Sequence, residues 1–327
     1  MSNDVLERYK NVTVVGAGVI GISWIALFLA HGLKVTVNDP RPDLEQVVLA
    51  EIQRITPTLK ELGYTTENLT QQLRFEKDLA RAVEGAALVQ ENGPERLELK
   101  QSLYAQMEQA VSPETLLLSS SSGLRATDIA QNMQHKGRML IGHPFNPPHL
   151  IPLVEVVPGE QTDRHAVDEA VAFYAALGKK PRVLRKEIPG FVANRLQAAL
   201  FRECVYLVRE GVVTLDELDD IVTNSIGLRW ATGGPFLSFH LGGGPGGLPA
   251  FIKHLGPGLE KRWESQSEEM VHLDDEFVRL VTDQVENSFG AVPYEALETE
   301  RDQKEIAIVR SLAALAASKG TGEKSNE

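Results

Sequence analysis

The sequence predicts an α/β protein, with a doubly wound, mainly parallel sheet followed by an all-α C-terminal domain. Three observations carry this. In the first half, short β-rich runs alternate with helical stretches, the pattern of a parallel sheet covered on both faces. A glycine-rich turn joins the first such run to the first helix. After Pro189 the β-rich runs stop and only helical periodicity remains.

Taken in order, residues 12–15 (Val-Thr-Val-Val) read as a buried strand and 19–31 as a helix. The span 12–30 carries no charge and is long enough to cross a bilayer. Gly16, Gly18 and Gly21 interrupt it, however, and a strand, a turn and a buried helix need no membrane. Strand 34–38 and helix 41–54 follow, then a polar helical excursion and loop over 56–68. Strands 87–90 and 115–118 alternate with helices 95–111 and 127–134, and two late strands, 151–157 and 181–184, flank helix 164–177. One long apolar-periodic helix covers 191–210, and Thr214 with Glu217 forms a capping box that starts another. Residues 233–247, rich in glycine and carrying Pro235 and Pro245, read as a loop or helix-breaking turn. The expected organisation is a nucleotide-binding domain at 1–187, a helical substrate and dimerisation domain at 188–317, and a flexible tail at 318–327.

Charge narrows the partners. Lys plus Arg number 33 and Asp plus Glu 45, a net charge of −12. An acidic surface repels phosphate backbones and anionic membranes, so nucleic acid and membrane are not expected partners. A single cysteine, Cys204, excludes an intrachain disulfide and fits a reducing compartment. Residues 1–10 lack the basic region and apolar core of a signal peptide, and the expected location is cytoplasmic. The eight histidines are scattered, so no metal site is expected.

Gly16-Ala17-Gly18-Val19-Ile20-Gly21 follows a strand and opens a helix. Gly16 serves the tight turn, Gly18 lets backbone approach a pyrophosphate, and Gly21 lets the helix pack on the strand. Asp39 ends the second strand at the offset of a ribose contact. A carboxylate there accepts from a ribose 2′-hydroxyl and repels a 2′-phosphate, which favours NAD over NADP, although Arg41 two residues on can accommodate that phosphate.

The cluster Ser119-Ser120-Ser121-Ser122-Gly123 follows a strand and therefore sits at the carboxyl edge of the sheet, where ligands bind in such folds. Helix capping would account for one serine, not four. Gly142-His143-Pro144-Phe145-Asn146-Pro147-Pro148 precedes Glu155, which lies inside an apolar strand. A carboxylate there is costly to bury unpaired, and a histidine at a sheet edge is its natural partner. Held by the carboxylate, the imidazole can take a hydroxyl proton while hydride leaves the same carbon; otherwise the two form a structural pair.

Together GAGVIG, Asp39, NGPERLELK, SSSSG, GHPFNPP…PLVEVV and GFVANRL resemble the L-3-hydroxyacyl-CoA dehydrogenase superfamily, from Val12 to about 233–247. The resemblance implies a Rossmann-like domain with a helical domain that commonly dimerises. It implies that His143 is the base, Glu155 its orienting carboxylate, and Ser122 and Asn194 the polar groups at the substrate oxygen, with Asn146 in the same cleft. Glu95, Lys100 and Ser122 match contacts to the nicotinamide cofactor.

The helical-domain motif departs from the acyl-CoA pattern G-P-F-E-x-x-D: Leu237 and His240 stand at the acidic positions. Gly227-Leu228-Arg229-Trp230-Ala231 just before it is similar to the branch holding L-carnitine dehydrogenase and L-gulonate 3-dehydrogenase, the λ-crystallin relatives, which oxidise free 3-hydroxy acids. Arg229 or Arg125 can supply a bidentate partner for a carboxylate. Trp230 can cover a trimethylammonium group by cation–π attraction of about 0.5–2 kcal/mol. The alternatives are core packing for Trp230 and surface charge for either arginine. The expected function is NAD-dependent oxidation of a short free L-3-hydroxy acid, L-carnitine before L-gulonate. An L-3-hydroxyacyl-CoA substrate is the first alternative, and a crystallin-like structural protein is an alternative of another class.

Overall fold

The computed structural model describes residues 2–322, as two compact units. The first reaches to Asn194 and takes in Asp302–Arg310; the second holds Arg195–Arg301 and the rest of the last helix.

The first unit is built on eight strands: β1 (Asn11–Val15), β2 (Lys34–Asn38), β3 (Leu73–Phe75), β4 (Leu88–Glu91), β5 (Leu116–Ser119), β6 (Met139–Pro144), β7 (Leu153–Pro158) and β8 (Lys180–Val183). They form one sheet in the order β3-β2-β1-β4-β5-β6-β7-β8. Every neighbouring pair is parallel except β6 and β7. The helices of this part are α1 (Ser2–Arg8), α2 (Val19–Ala30), α3 (Leu44–Glu61), α4 (Leu79–Val83), α5 (Leu97–Glu108), α6 (Ala126–Ile129) and α7 (Arg164–Ala176). The mainly parallel, doubly wound sheet expected from the alternation is present.

Both faces of the sheet are covered. Leu116 and Leu118 join a core with Trp24, Phe28, Phe173 and Tyr174, while Leu117 between them joins a second core with Tyr104, Met107, Ile129 and Phe191. The two-residue strand period thus feeds two layers, which is why these strands read as continuous apolar runs. Each fully buried leucine contributes about 1.5–3 kcal/mol relative to exposure.

Two strands are additional to those expected. β3 is three residues at the sheet edge, too short to show a period. β6 pairs with β5 and β7, but its apolar Met139-Leu140-Ile141 is followed by Gly142-His143-Pro144, residues that read locally as a turn. Tertiary pairing overrides local propensity there. Helix α3 runs on through Pro57 to Glu61, and the expected helix 127–134 is α6 followed by a 3₁₀ turn at Ala130–Asn132.

The second unit is helical: most of α8 (Ala193–Arg209), then α9 (Leu215–Thr223), α10 (Ile226–Gly242), α11 (Gly247–Glu268), α12 (Asp275–Glu286) and parts of α13 (Tyr294–Gly322). The capping box of Thr214 and Glu217 is formed. Its small core centres on Val205, Val208, Leu218 and Phe277. Of the two readings of 233–247, the helix-breaking turn is present and the loop is not: Gly234 (φ 66°, ψ 171°) breaks the helix, which resumes to Gly242. Glycine takes that conformation without strain, and Pro235 after it needs no helical N–H partner as a new first turn begins. A short 3₁₀ turn, Gly244–Gly246, precedes α11. In the expected tail, 318–322 continue α13, and 323–327 lie outside the described residues. Among the described residues no helix is long and apolar enough to cross a membrane.

Candidate active site

The chain turns sharply where β1 meets α2. Gly16 sits at φ +92°, its N–H donates to the Asn38 carbonyl at 2.8 Å, and a Cβ there would lie 2.8 Å from the Asn92 backbone. A Cβ on Gly21 would fall 1.9 Å from the Gly16 carbonyl oxygen, so helix and turn touch through that glycine. Gly18 is different, with nothing within 4 Å of an added Cβ. It is the N-cap of α2 without a side-chain cap, so the helix presents unsatisfied N–H groups to open space. Asp39 closes the cradle: its carboxylate accepts from the backbone N–H of Ala17 at 2.8 Å and of Arg41 at 2.9 Å. The Arg41 guanidinium is turned to Asp43 at 2.9 Å. An uncapped helix terminus, open space over Gly18 and a carboxylate at the second strand end fit a dinucleotide pyrophosphate and ribose.

The serine cluster follows β5 as a loop organised by Glu95. One Glu95 oxygen accepts from Ser121 Oγ (2.6 Å) and from the N–H groups of Ser122 (3.0 Å), Gly123 (2.8 Å) and Leu124 (3.3 Å). Burial pushes this carboxyl up, but the Ser121 hydroxyl, the amides and the Lys100 charge hold it below the usual glutamate range. Lys100 is fully buried, donating to Glu91 at 2.6 Å and to the Gly93 carbonyl at 3.2 Å. Glu91 also accepts from Ser119 Oγ at 2.6 Å. Lys100 thus braces the 91–95 loop from beneath. Ser122 is exposed, its carbonyl taking the Asn194 amide at 3.3 Å.

His143 and Glu155 face each other in register across β6 and β7. His143 Nδ1 meets Glu155 Oε2 at 2.9 Å, with both residues almost wholly buried. The other carboxylate oxygen accepts from Val192 and Ala193 N–H, each at 3.0 Å, at the start of α8. Burial pushes Glu155 up, yet the His143 bond and these two amides outweigh it and hold its pKa below the ordinary value. Gly190 (φ 74°) and Phe191 (φ 51°) both adopt left-handed backbone to bring the amides round. Phe191 is fully buried and, with Phe145, flanks the imidazole at 5.4 and 5.3 Å between ring centroids. These contacts lie within the first unit, which reaches to Asn194.

Beyond β6 the chain turns through 145–152. Asn146 is exposed, and Leu150 and Ile151 donate to the Pro147 carbonyl at 3.0 and 2.9 Å. Ser23 of α2 accepts the His149 N–H at 2.9 Å, and the Lys179 ammonium donates to the carbonyls of Pro148 and Ile151.

Within the first unit, then, His143, Glu155, Ser122 and Asn194 are linked through α8 and the serine loop, beside the glycine turn and Asp39. Arg125 is exposed, and its guanidinium forks onto Asp128 at 2.8 and 2.7 Å. Arg229 and Trp230 lie exposed on α10 in the second unit. Glu91, Phe191 and Lys179 escaped sequence reasoning. The Glu91 signal was a carboxylate ending an apolar strand, the same signal that revealed Glu155.

A nucleotide cradle and a hydrogen-bonded His–Glu pair on one doubly wound sheet are the equipment of an NAD-dependent dehydrogenase acting on a CH–OH group. The chain belongs to the 3-hydroxyacyl-CoA dehydrogenase family: residues 11–188 match its NAD binding domain and residues 190–279 its C-terminal domain. An L-carnitine dehydrogenase of Nocardiopsis dassonvillei is 41% identical over 308 residues, 94% of this chain and 92% of that protein. A 3-hydroxyacyl-CoA dehydrogenase of Gibberella moniliformis is 40% identical over 94% of this chain and 95% of its own. Among solved structures, 5-formyl-3-hydroxy-2-methylpyridine 4-carboxylic acid 5-dehydrogenase, an NAD+-dependent dismutase, shares 27% identity at a TM-score of 0.73, covering 93% of this chain and 98% of that one.

Proposed function

We propose that this dehydrogenase oxidises the 3-hydroxyl of a short free L-3-hydroxy acid, L-carnitine foremost, to the 3-oxo acid. The observation that carries the chemistry is His143 Nδ1 held at 2.9 Å by a buried carboxylate. That bond sets the imidazole tautomer, so Nε2 is the nitrogen that accepts the substrate hydroxyl proton. Bound NAD supplies the two-electron acceptor for the hydride that leaves the same carbon. The O–H electron pair becomes the second bond of the new carbonyl, the proton rests on His143, and Glu155 balances the imidazolium. Ser122 Oγ and the Asn194 amide donate to the substrate oxygen, and Asn146 borders the same cleft. Glu95 and Lys100 shape the loops around the nicotinamide end, and Gly16, Gly18, Gly21 and Asp39 hold the rest of the dinucleotide.

Two things support a free acid. One is the sequence similarity to L-carnitine dehydrogenase; the other is the fold similarity to an enzyme whose name carries a free carboxylic acid. Arg229 is the proposed carboxylate partner and Trp230 the proposed cover for a trimethylammonium group. Replacing Arg229 with Met should raise KM for the acid at least tenfold; an unchanged KM removes it from the site. Thioester oxidation is the second reading, favoured by the Gibberella relative's name.

The decisive test is the initial rate of NADH formation with L-carnitine, L-gulonate, L-3-hydroxybutyrate and L-3-hydroxybutyryl-CoA side by side. Preference for the thioester overturns the free-acid proposal. In the same assay His143→Ala should lose about 10²–10⁴ in kcat while still binding NADH; near-normal turnover removes the base. Association as a homodimer through the helical unit belongs to the same proposal, supported by its exposed Phe236, Leu241 and Trp263, and sedimentation at micromolar concentration checks it. So does a cytoplasmic location, with Cys204 the only cysteine.

A further inference from the structure

Lys179 is 6% exposed, and among the described residues no carboxylate pairs with it. A buried ammonium is costly unless its donors are used. Its donors reach the carbonyls of Pro148 and Ile151, and Nζ lies 5.6 Å from the Trp24 ring centroid. Those carbonyls belong to a turn whose own amides leave them unused. Pro147 and Pro148 have no N–H, and the Leu150 and Ile151 amides both go to the Pro147 carbonyl. The turn needs donors from elsewhere. Ser23 grips it from α2 at His149, and Lys179 grips it at the head of β8, where Lys180 N–H also donates to the Pro152 carbonyl at 2.7 Å.

We propose that Lys179 is a positioning residue for the oxidation: its Nζ, donating to the carbonyls of Pro148 and Ile151, fixes the turn that sets Phe145 beside His143. A methionine would fill much of the same space without donating, so what the amine adds is the hold on the turn. This rests on His143 being the base, because only then does the placement of Phe145 govern turnover. Misplacement of reacting groups by about 1 Å can cost about 10²-fold in rate.

The test is Lys179→Met, with Lys179→Gln retaining one donor group. Lys179→Met should lower kcat about 10–100-fold, with KM for NAD within about threefold, because the glycine turn is untouched. Lys179→Gln should fall between it and the parent. Hydrogen exchange should show faster exchange in the peptide spanning 145–153 of Lys179→Met, with β1 and α2 unchanged. Unchanged kcat overturns the proposal, as does loss of NAD binding and protection throughout the unit, which marks a merely structural lysine. In the unmodified protein the Leu150 and Ile151 amides should be slow exchangers; fast exchange there overturns the clamp even if both variants fail to fold. Exchange reads the clamp and the substrate panel reads the reaction, so either can fail alone.

Discussion

Glu155 serves two partners with two oxygens, and its removal should separate them. In Glu155→Gln an amide can still meet the Val192 and Ala193 N–H groups through its oxygen, but it no longer balances the imidazolium. We expect kcat to fall about 10²-fold or more, with a smaller change in KM; unchanged kcat would leave His143 without need of a carboxylate. The carboxyl is held below the ordinary glutamate value of 4.5, so its stabilising effect is present above about pH 4.5 and lost as pH falls below that. Denaturant unfolding between pH 3.5 and 7 should therefore show wild type and Glu155→Gln converging at the acid end. This pair was legible because each residue was conspicuous alone: a carboxylate in an apolar strand, and a histidine beside prolines. Phe191 was not legible, because a left-handed phenylalanine has no signature in sequence.

At the scale of elements, the three glycines of the first turn make different contacts, and substitution should tell them apart. Gly18→Ala meets nothing within 4 Å, so the melting temperature should hold while NAD affinity drops about tenfold or more, the methyl standing where pyrophosphate approaches. Gly21→Ala would drive its methyl into the Gly16 carbonyl, destabilising the fold by about 1–3 kcal/mol. Equal melting temperatures for the two variants would contradict this division. The turn was readable because glycine spacing and strand–helix context coincide there. Strand β6 was not: Gly142-His143-Pro144 reads as loop, and only the flanking strands β5 and β7 extend it. Gly142 is small for a tertiary reason as well, since a Cβ would fall 1.9 Å from the Tyr174 hydroxyl oxygen.

For the molecule as a whole, buried charge links stability to pH. Burial lowers Lys179 from 10.5 to about 7. Between those values the unfolded chain holds a proton that the folded chain does not, so folding stability rises with pH through that window. Relative to Lys179→Met, wild type should gain about 1–3 kcal/mol from pH 7 to 9.5; parallel curves would show that the amine titrates as it does in water. The neighbouring titratable groups are His31, His149, Tyr64 and Tyr174. Burial holds His31 below its ordinary 6.5 and raises both tyrosines above their ordinary 10.0, so these three lie outside the pH 7 to 9.5 compared. The division into a nucleotide-binding unit and a helical unit followed from where β-rich runs stop. The reach of the first unit to Asn194 did not, because it depends on Glu155 capturing amides distant in sequence.

The antiparallel register of β6 and β7 constrains how this protein can change length. His143 sits directly opposite Glu155, and side chains along a strand alternate between the two faces of the sheet. Inserting or deleting one residue within either strand would send imidazole and carboxylate to opposite faces, and no side-chain substitution could restore the pair. From β6 to β7, drift in chain length is therefore tolerable only in the connection 145–152, and the lysine clamp on Pro148 and Ile151 leaves little slack even there.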